Sequence, residues 1–228
     1  MKILSDILDR LLTAPGETPG EALTRRSDPP AAASSVAEKP VRTPRSQLRS
    51  KAVPATAYLL LDVSSSMDER KLRQAQDGGV AFAADAIGKG YRVGVIQFSS
   101  WARLRTEPTK RLGVIRAGLE QAVFQLTTNM ASAIELGATQ LGGIGGLRAV
   151  VLVTDGYPDD AEAALRAAMK AKACGITIIA IGTHDADEDF LKKLATASGL
   201  ATTVPDSELQ VAITSAARLL PSRTSGSK

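Results

Sequence analysis

From residue 55 onward the chain alternates two hydrophobic rhythms. Short, nearly continuous apolar runs are separated by stretches in which apolar residues recur every three or four positions. Residues 57–63 (AYLLLDV), 91–99 (YRVGVIQFS), 149–154 (AVVLVT) and 176–181 (ITIIAI) belong to the first kind. Such runs predict strands covered on both faces, as in a parallel sheet. Residues 101–107 (WARLRTE) alternate instead, which suits an edge strand with one wet face. A helix is predicted over 67–88, with Leu72, Ala75, Gly79, Phe82 and Ala86 on one face. Further helices are expected near 110–121, 129–141, 187–197 and 206–219, with a short strand at 201–204. Residues 158–174 read as another helix, because Pro158 suits a first helical position, acids lead, lysines trail and Gly175 follows.

Strands alternating with helices imply a doubly wound, Rossmann-like α/β sheet, mostly parallel with one antiparallel edge strand and helices on both faces. In such sheets ligands bind beyond the carboxyl ends of the strands, near the topological switch point.

The rhythm fails before residue 55. Seven of the eleven prolines fall between Pro15 and Pro54, among Ala, Ser and Thr with few large apolar groups. Residues 15–54 are therefore expected to form an extended, flexible linker. Its second half carries Lys39, Arg42, Arg45, Arg49 and Lys51 with no acid. Without interleaved aromatics for base stacking, this stretch reads as a solvated basic segment rather than a nucleic-acid site. Residues 1–14 place Ile3, Leu4, Ile7, Leu8, Leu11 and Leu12 on one helical face. So short a helix is marginal alone, so the stripe should dock on its own domain or on a partner. The globular domain is expected over 55–220, and residues 221–228 are expected to form a disordered tail.

Composition narrows the function. The 228 residues include 28 basic and 24 acidic side chains, and 23% charged residues suit an ordinary soluble domain. No apolar run approaches the roughly 18 residues of a membrane span. Acids interrupt the first ten residues where a signal peptide needs an apolar stretch, so a cytoplasmic location is expected. One cysteine, Cys174, and one histidine, His184, leave little material for a disulfide, a zinc cluster or a protease triad.

The strand ends carry the candidate chemistry. Asp62, Ser64 and Ser66 alternate where the first strand runs into DVSSSM. Asp155 ends another strand in VLVTDG, and Thr127 and Thr128 precede the helix of residues 129–141. Two carboxylates and several hydroxyls are the ligand types of a hard cation. Ser66 has a second reading as a helix cap, since Glu69 three residues on completes a capping box.

DVSSSM, TTNMASAI and VLVTDG, in this order, resemble the von Willebrand factor type A (integrin I-like) domain family. The resemblance covers about residues 55–220. It implies a metal-ion-dependent adhesion site made by Asp62, Ser64, Ser66, Thr128 and Asp155, holding Mg²⁺, with Mn²⁺ or Ca²⁺ as substitutes. Ser65 departs from the glycine usual there. The function implied is binding rather than catalysis: an intracellular adaptor whose ion captures an Asp or Glu of a protein partner. Family members inside cells often work with ATP-driven assemblies. Two other functions are separable: metal-assisted hydrolysis, which lacks a visible general base, and nucleic-acid association through the linker. The Gly-rich stretch LGGIGGLR (141–148) precedes a strand and lacks a following Lys-Ser/Thr, so it is read as a loop.

Overall fold

The continuous apolar runs become the strands of one sheet in the computed structural model, which describes residues 54–121 and 127–222. The strands are β1 (Ala55–Asp62), β2 (Arg92–Phe98), β3 (Ala102–Thr109), β4 (Leu147–Thr154), β5 (Thr177–Thr183) and β6 (Ala201–Val204). Their spatial order is β3-β2-β1-β4-β5-β6. Every neighbouring pair is parallel except β2 with β3, which is antiparallel and carries register shifts between Val93 and Ile96. The helices are α1 (Glu69–Gly88), α2 (Leu112–Glu120), α3 (Met130–Leu141), α4 (Ala161–Ala173), α5 (Glu188–Leu194) and α6 (Leu209–Ala216).

Because successive strand residues face opposite sides, β1 feeds two cores. Ala57, Leu59 and Leu61 pack with residues of α1, α2 and α6 such as Phe82, Leu119 and Ile213. Tyr58 and Leu60 pack with residues of α3, α4 and α5 such as Ile134, Ala167 and Leu191. Register extends each face across the sheet, Leu59 lying beside Val95 of β2 and Val151 of β4. The sheet is thus buried on both sides, which is why its strands are apolar without alternation.

The chain leaves β1 toward β2 on one side and reaches β4 on the other. The switch point therefore lies between the carboxyl ends of β1 and β4, where Asp62 and Asp155 stand.

Three boundaries differ from the sequence reading. Helix α4 begins at Ala161, because the Asp160 side chain accepts from Ala163 N and caps it, leaving Pro158 in the preceding loop. Helix α1 begins at Glu69 behind Asp68, whose carboxylate accepts from Lys71 N at 2.7 Å. The last helix is divided, with 3₁₀ turns at Asp206–Glu208 and Ala217–Leu219 on either side of α6. The expected N-terminal helix, the linker up to residue 53 and the tail beyond residue 222 lie outside the described residues. No helix among those described is long and apolar enough to cross a membrane.

Candidate metal centre

Strand β1 ends in an apolar grip that sets the loop beyond it. Val63 N donates to Phe98 O at 2.8 Å, and Met67 is fully buried. Between these anchors the chain makes a turn closed by Met67 N donating to Ser64 O at 3.1 Å. Polar Ser64, Ser65 and Ser66 fill that turn, with Ser65 and Ser66 exposed.

Asp62 is wholly buried and keeps both carboxylate oxygens hydrogen-bonded. Its Oδ1 accepts from Ser64 N at 2.8 Å, and its Oδ2 accepts from the Thr154 hydroxyl at 2.7 Å. Burial pushes its carboxyl up to about 6, against the pull of these bonds and with help from the nearby charge of Asp155. The Ser64 and Ser66 hydroxyls lie 3.0 Å apart, and Ser66 Oγ donates to Asp155 Oδ1 at 2.7 Å. The Ser66 hydroxyl is therefore aimed across to β4, and the capping role falls to Asp68.

Asp62, Ser64, Ser66 and Asp155 thus form one hydrogen-bonded series across the switch point, through the Ser64 backbone nitrogen and then the serine hydroxyls. Thr128 occupies the neighbouring loop and is buried. Its N–H donates to Asp159 Oδ1 at 2.9 Å, and Asp159 N donates back to Thr128 O at 3.1 Å. Asn129 N reaches Ser99 O at 2.7 Å, and Thr127 Oγ donates to Ser100 Oγ at 3.1 Å. The loops after β2, before α3 and after β4 are therefore stitched together beside the site.

Three residues of this arrangement escape the sequence reading. Thr154 supplies a donor to Asp62, and Asp159 ties Thr128 to the β4 loop. Lys71 is the third: its ammonium lies 2.9 Å from Asp155 Oδ2, with side-chain exposures of 10% and 0% for the pair. The same ammonium is 3.5 Å from Asp185 Oδ2 and 4.0 Å from Asp206 Oδ2. Burial alone would lower its pKa, but the bond and charge of Asp155, with Asp206 and Asp185, hold it above the usual lysine value. A signal existed: Lys71 is a base in the first turn of α1, where the helix dipole disfavours one.

The donor set suits a divalent cation. All four linked groups are oxygens, two of them carboxylates, and Ser66 opens the cluster to solvent. Among the described residues no three His, Cys, Asp or Glu cluster to hold a metal, so any ion here depends on the hydroxyls as well.

A model of the von Willebrand factor type A domain matches residues 58–216. Solved structures share the fold. A pilus adhesin, SpaC from Lactobacillus rhamnosus GG, superposes with a TM-score of 0.66 at 16% identity, over 74% of this chain and 30% of that one. Proximal thread matrix protein 1 from the mussel byssus, solved with a zinc-occupied MIDAS motif, gives 0.64 at 23% identity, over 73% and 48%. The vWF domain of the pilus tip protein Mfa5 from Porphyromonas gingivalis gives 0.66 at 14% identity, over 73% and 95%. The chain spans less than half the length of the first two. No curated protein matches the sequence significantly.

Proposed function

The chain belongs to the von Willebrand factor type A domain family, whose domains mediate protein–protein interaction and adhesion, and from that premise we propose that it captures a protein partner through a divalent ion. The observation that carries this reading is the hydrogen-bonded series Asp62–Ser64–Ser66–Asp155 at the switch point, which gathers two carboxylates and two hydroxyls. Those four residues, with Thr128 beside them, would hold the ion, Mg²⁺ first and Mn²⁺ or Ca²⁺ as substitutes. A mussel byssus protein of the same fold has a zinc-occupied MIDAS motif, which supports reading the site as an ion site.

A bound ion supplies an electron-poor position that favours an anionic oxygen. The chain's own residues do the rest. Asp62 and Asp155 would bring negative charge to an ion held here, while the serines would add neutral oxygens and leave its charge partly uncompensated. A partner Asp or Glu would be favoured over water at such a position. Thr154 and Ser64 N hold the Asp62 carboxylate in one orientation, so the site is preorganised. The partner is proposed to be intracellular, an ATP-driven assembly being one class to examine; cell fractionation tests the setting separately.

The test is a capture experiment from lysate with Mg²⁺ or with chelator, using wild type, Ser66→Ala and Asp155→Asn. Capture that needs the ion, weakens in Ser66→Ala and vanishes in Asp155→Asn, with unchanged circular dichroism, is expected. Undiminished capture by folded, ion-free protein would place recognition on another surface. The hydrolase alternative predicts ion-dependent turnover of a phosphate ester, which the adaptor reading does not.

A further inference from the structure

The geometry points to Lys71 as a resident counter-ion of this site, a positioning residue whose ammonium stands in for positive charge when no divalent ion is bound. The inference rests on the metal reading above and deepens it to the regulation of that site. Three observations carry it.

First, the two oxygens of Asp155 serve two masters. Oδ1 accepts from Ser66, the side of the serine hydroxyls, while Oδ2 accepts from Lys71 at 2.9 Å. Asp155 and Lys71 are both buried, so their charges are screened little and each depends on the other. Second, Lys71 has alternatives. Asp185 at 3.5 Å is exposed in the loop beyond β5, and Asp206 at 4.0 Å is half-buried at the start of the 3₁₀ turn beyond β6, where its Oδ2 also pairs with Arg70 at 3.3 Å. Its ammonium also lies 3.4 Å from Ser66 O, so it touches the same turn that presents the serines. Third, the position is a costly one for a base. Lys71 sits buried in the first turn of α1, where the helix dipole is positive, so its charge depends on the carboxylates around it.

Together these place a cation against one ligand carboxylate, with two further carboxylates within reach to receive it. Ion entry adds positive charge beside Asp155 and weakens its hold on Lys71, which moves its pairing toward Asp185 and Asp206. The ion-free domain keeps the Asp155 carboxylate compensated, and the ion must compete with a charge already present. Lys71 thus sets the concentration at which the site loads.

Mn²⁺ binding to the full chain, measured by calorimetry and by electron paramagnetic resonance, tests this. Lys71→Met keeps an unbranched side chain, one atom shorter, and removes the charge. It should bind Mn²⁺ at least about tenfold more tightly, one like charge having left the site. Its melting temperature in chelator should fall by about 3 °C or more relative to wild type and recover with Mn²⁺. The double variant Asp185→Asn with Asp206→Asn, whose changes avoid the core, should bind Mn²⁺ more weakly, because Lys71 then has no second carboxylate to pair with. Equal or weaker Mn²⁺ affinity in folded Lys71→Met overturns the counter-ion role alone. Absence of Mn²⁺ binding in wild type and Lys71→Met together overturns the metal reading itself.

Discussion

Asp62 shows how much of the site depends on single donors. Its carboxylate is buried and its Oδ2 has the Thr154 hydroxyl as partner at 2.7 Å. Thr154→Val preserves shape and deletes that donor, leaving a buried carboxylate oxygen unsatisfied. A loss of about 1–3 kcal/mol in urea unfolding is expected in chelator, and Thr154→Ser should restore most of it. Ser66 is exposed itself, but its hydroxyl is the donor to the buried Oδ1 of Asp155. Ser66→Ala should therefore weaken Mg²⁺ binding by calorimetry and also lower stability in chelator by about 1–3 kcal/mol in urea unfolding.

Helix α1 links the site to the core through its glycines. A Cβ at Gly78 would meet the backbone oxygen of Gln210 at 2.8 Å, so α1 and α6 approach too closely there for any side chain. Gly78→Ala should cost about 1–3 kcal/mol in spite of better helix propensity, because the obstacle is backbone. Gly88, at the far end of the same helix, has open space around it. Gly88→Ala should be neutral or stabilise by up to about 1 kcal/mol. Denaturant titration of the two variants separates packing from propensity within one helix. Beyond α1, the buried Tyr91 hydroxyl donates to Pro221 O at 2.5 Å and ties down the end of the described chain. Burial pushes that phenol up to about 12. The folded protein keeps the proton after the unfolded chain has lost it, so this group's share of stability falls as pH rises from about 10 to 12. Tyr91→Phe should fall less steeply over that window in a pH series of unfolding midpoints.

At the scale of the whole molecule, saturating Mg²⁺ should raise stability by about 2.7 kcal/mol at a hundredfold excess over its Kd, seen as a rise in melting temperature that chelator reverses. The order of strands and helices was legible in the sequence, because a sheet buried on both faces demands continuous apolar runs such as 57–63 and 149–154. Periodicity also fixed α1 and α3 to within a few residues. Helix starts were less legible. Asp68 and Asp160 compete with neighbouring Ser66 and Pro158 for the same role, and only the folded path selects which carboxylate reaches an open N–H. Asp62, Ser64, Ser66 and Asp155 could be nominated from residue type and from their places at strand ends. That Ser66 bridges to Asp155, 89 residues away, was decided by β1 and β4 lying side by side. The pairing of Lys71 was decided in the same way. Its partners come from the ends of β4, β5 and β6, and a sequence orders them along a line while a sheet sets them around one ammonium. Local pattern determines elements because burial and backbone bonding are local demands. Charge compensation is a demand on the neighbours that tertiary packing alone supplies.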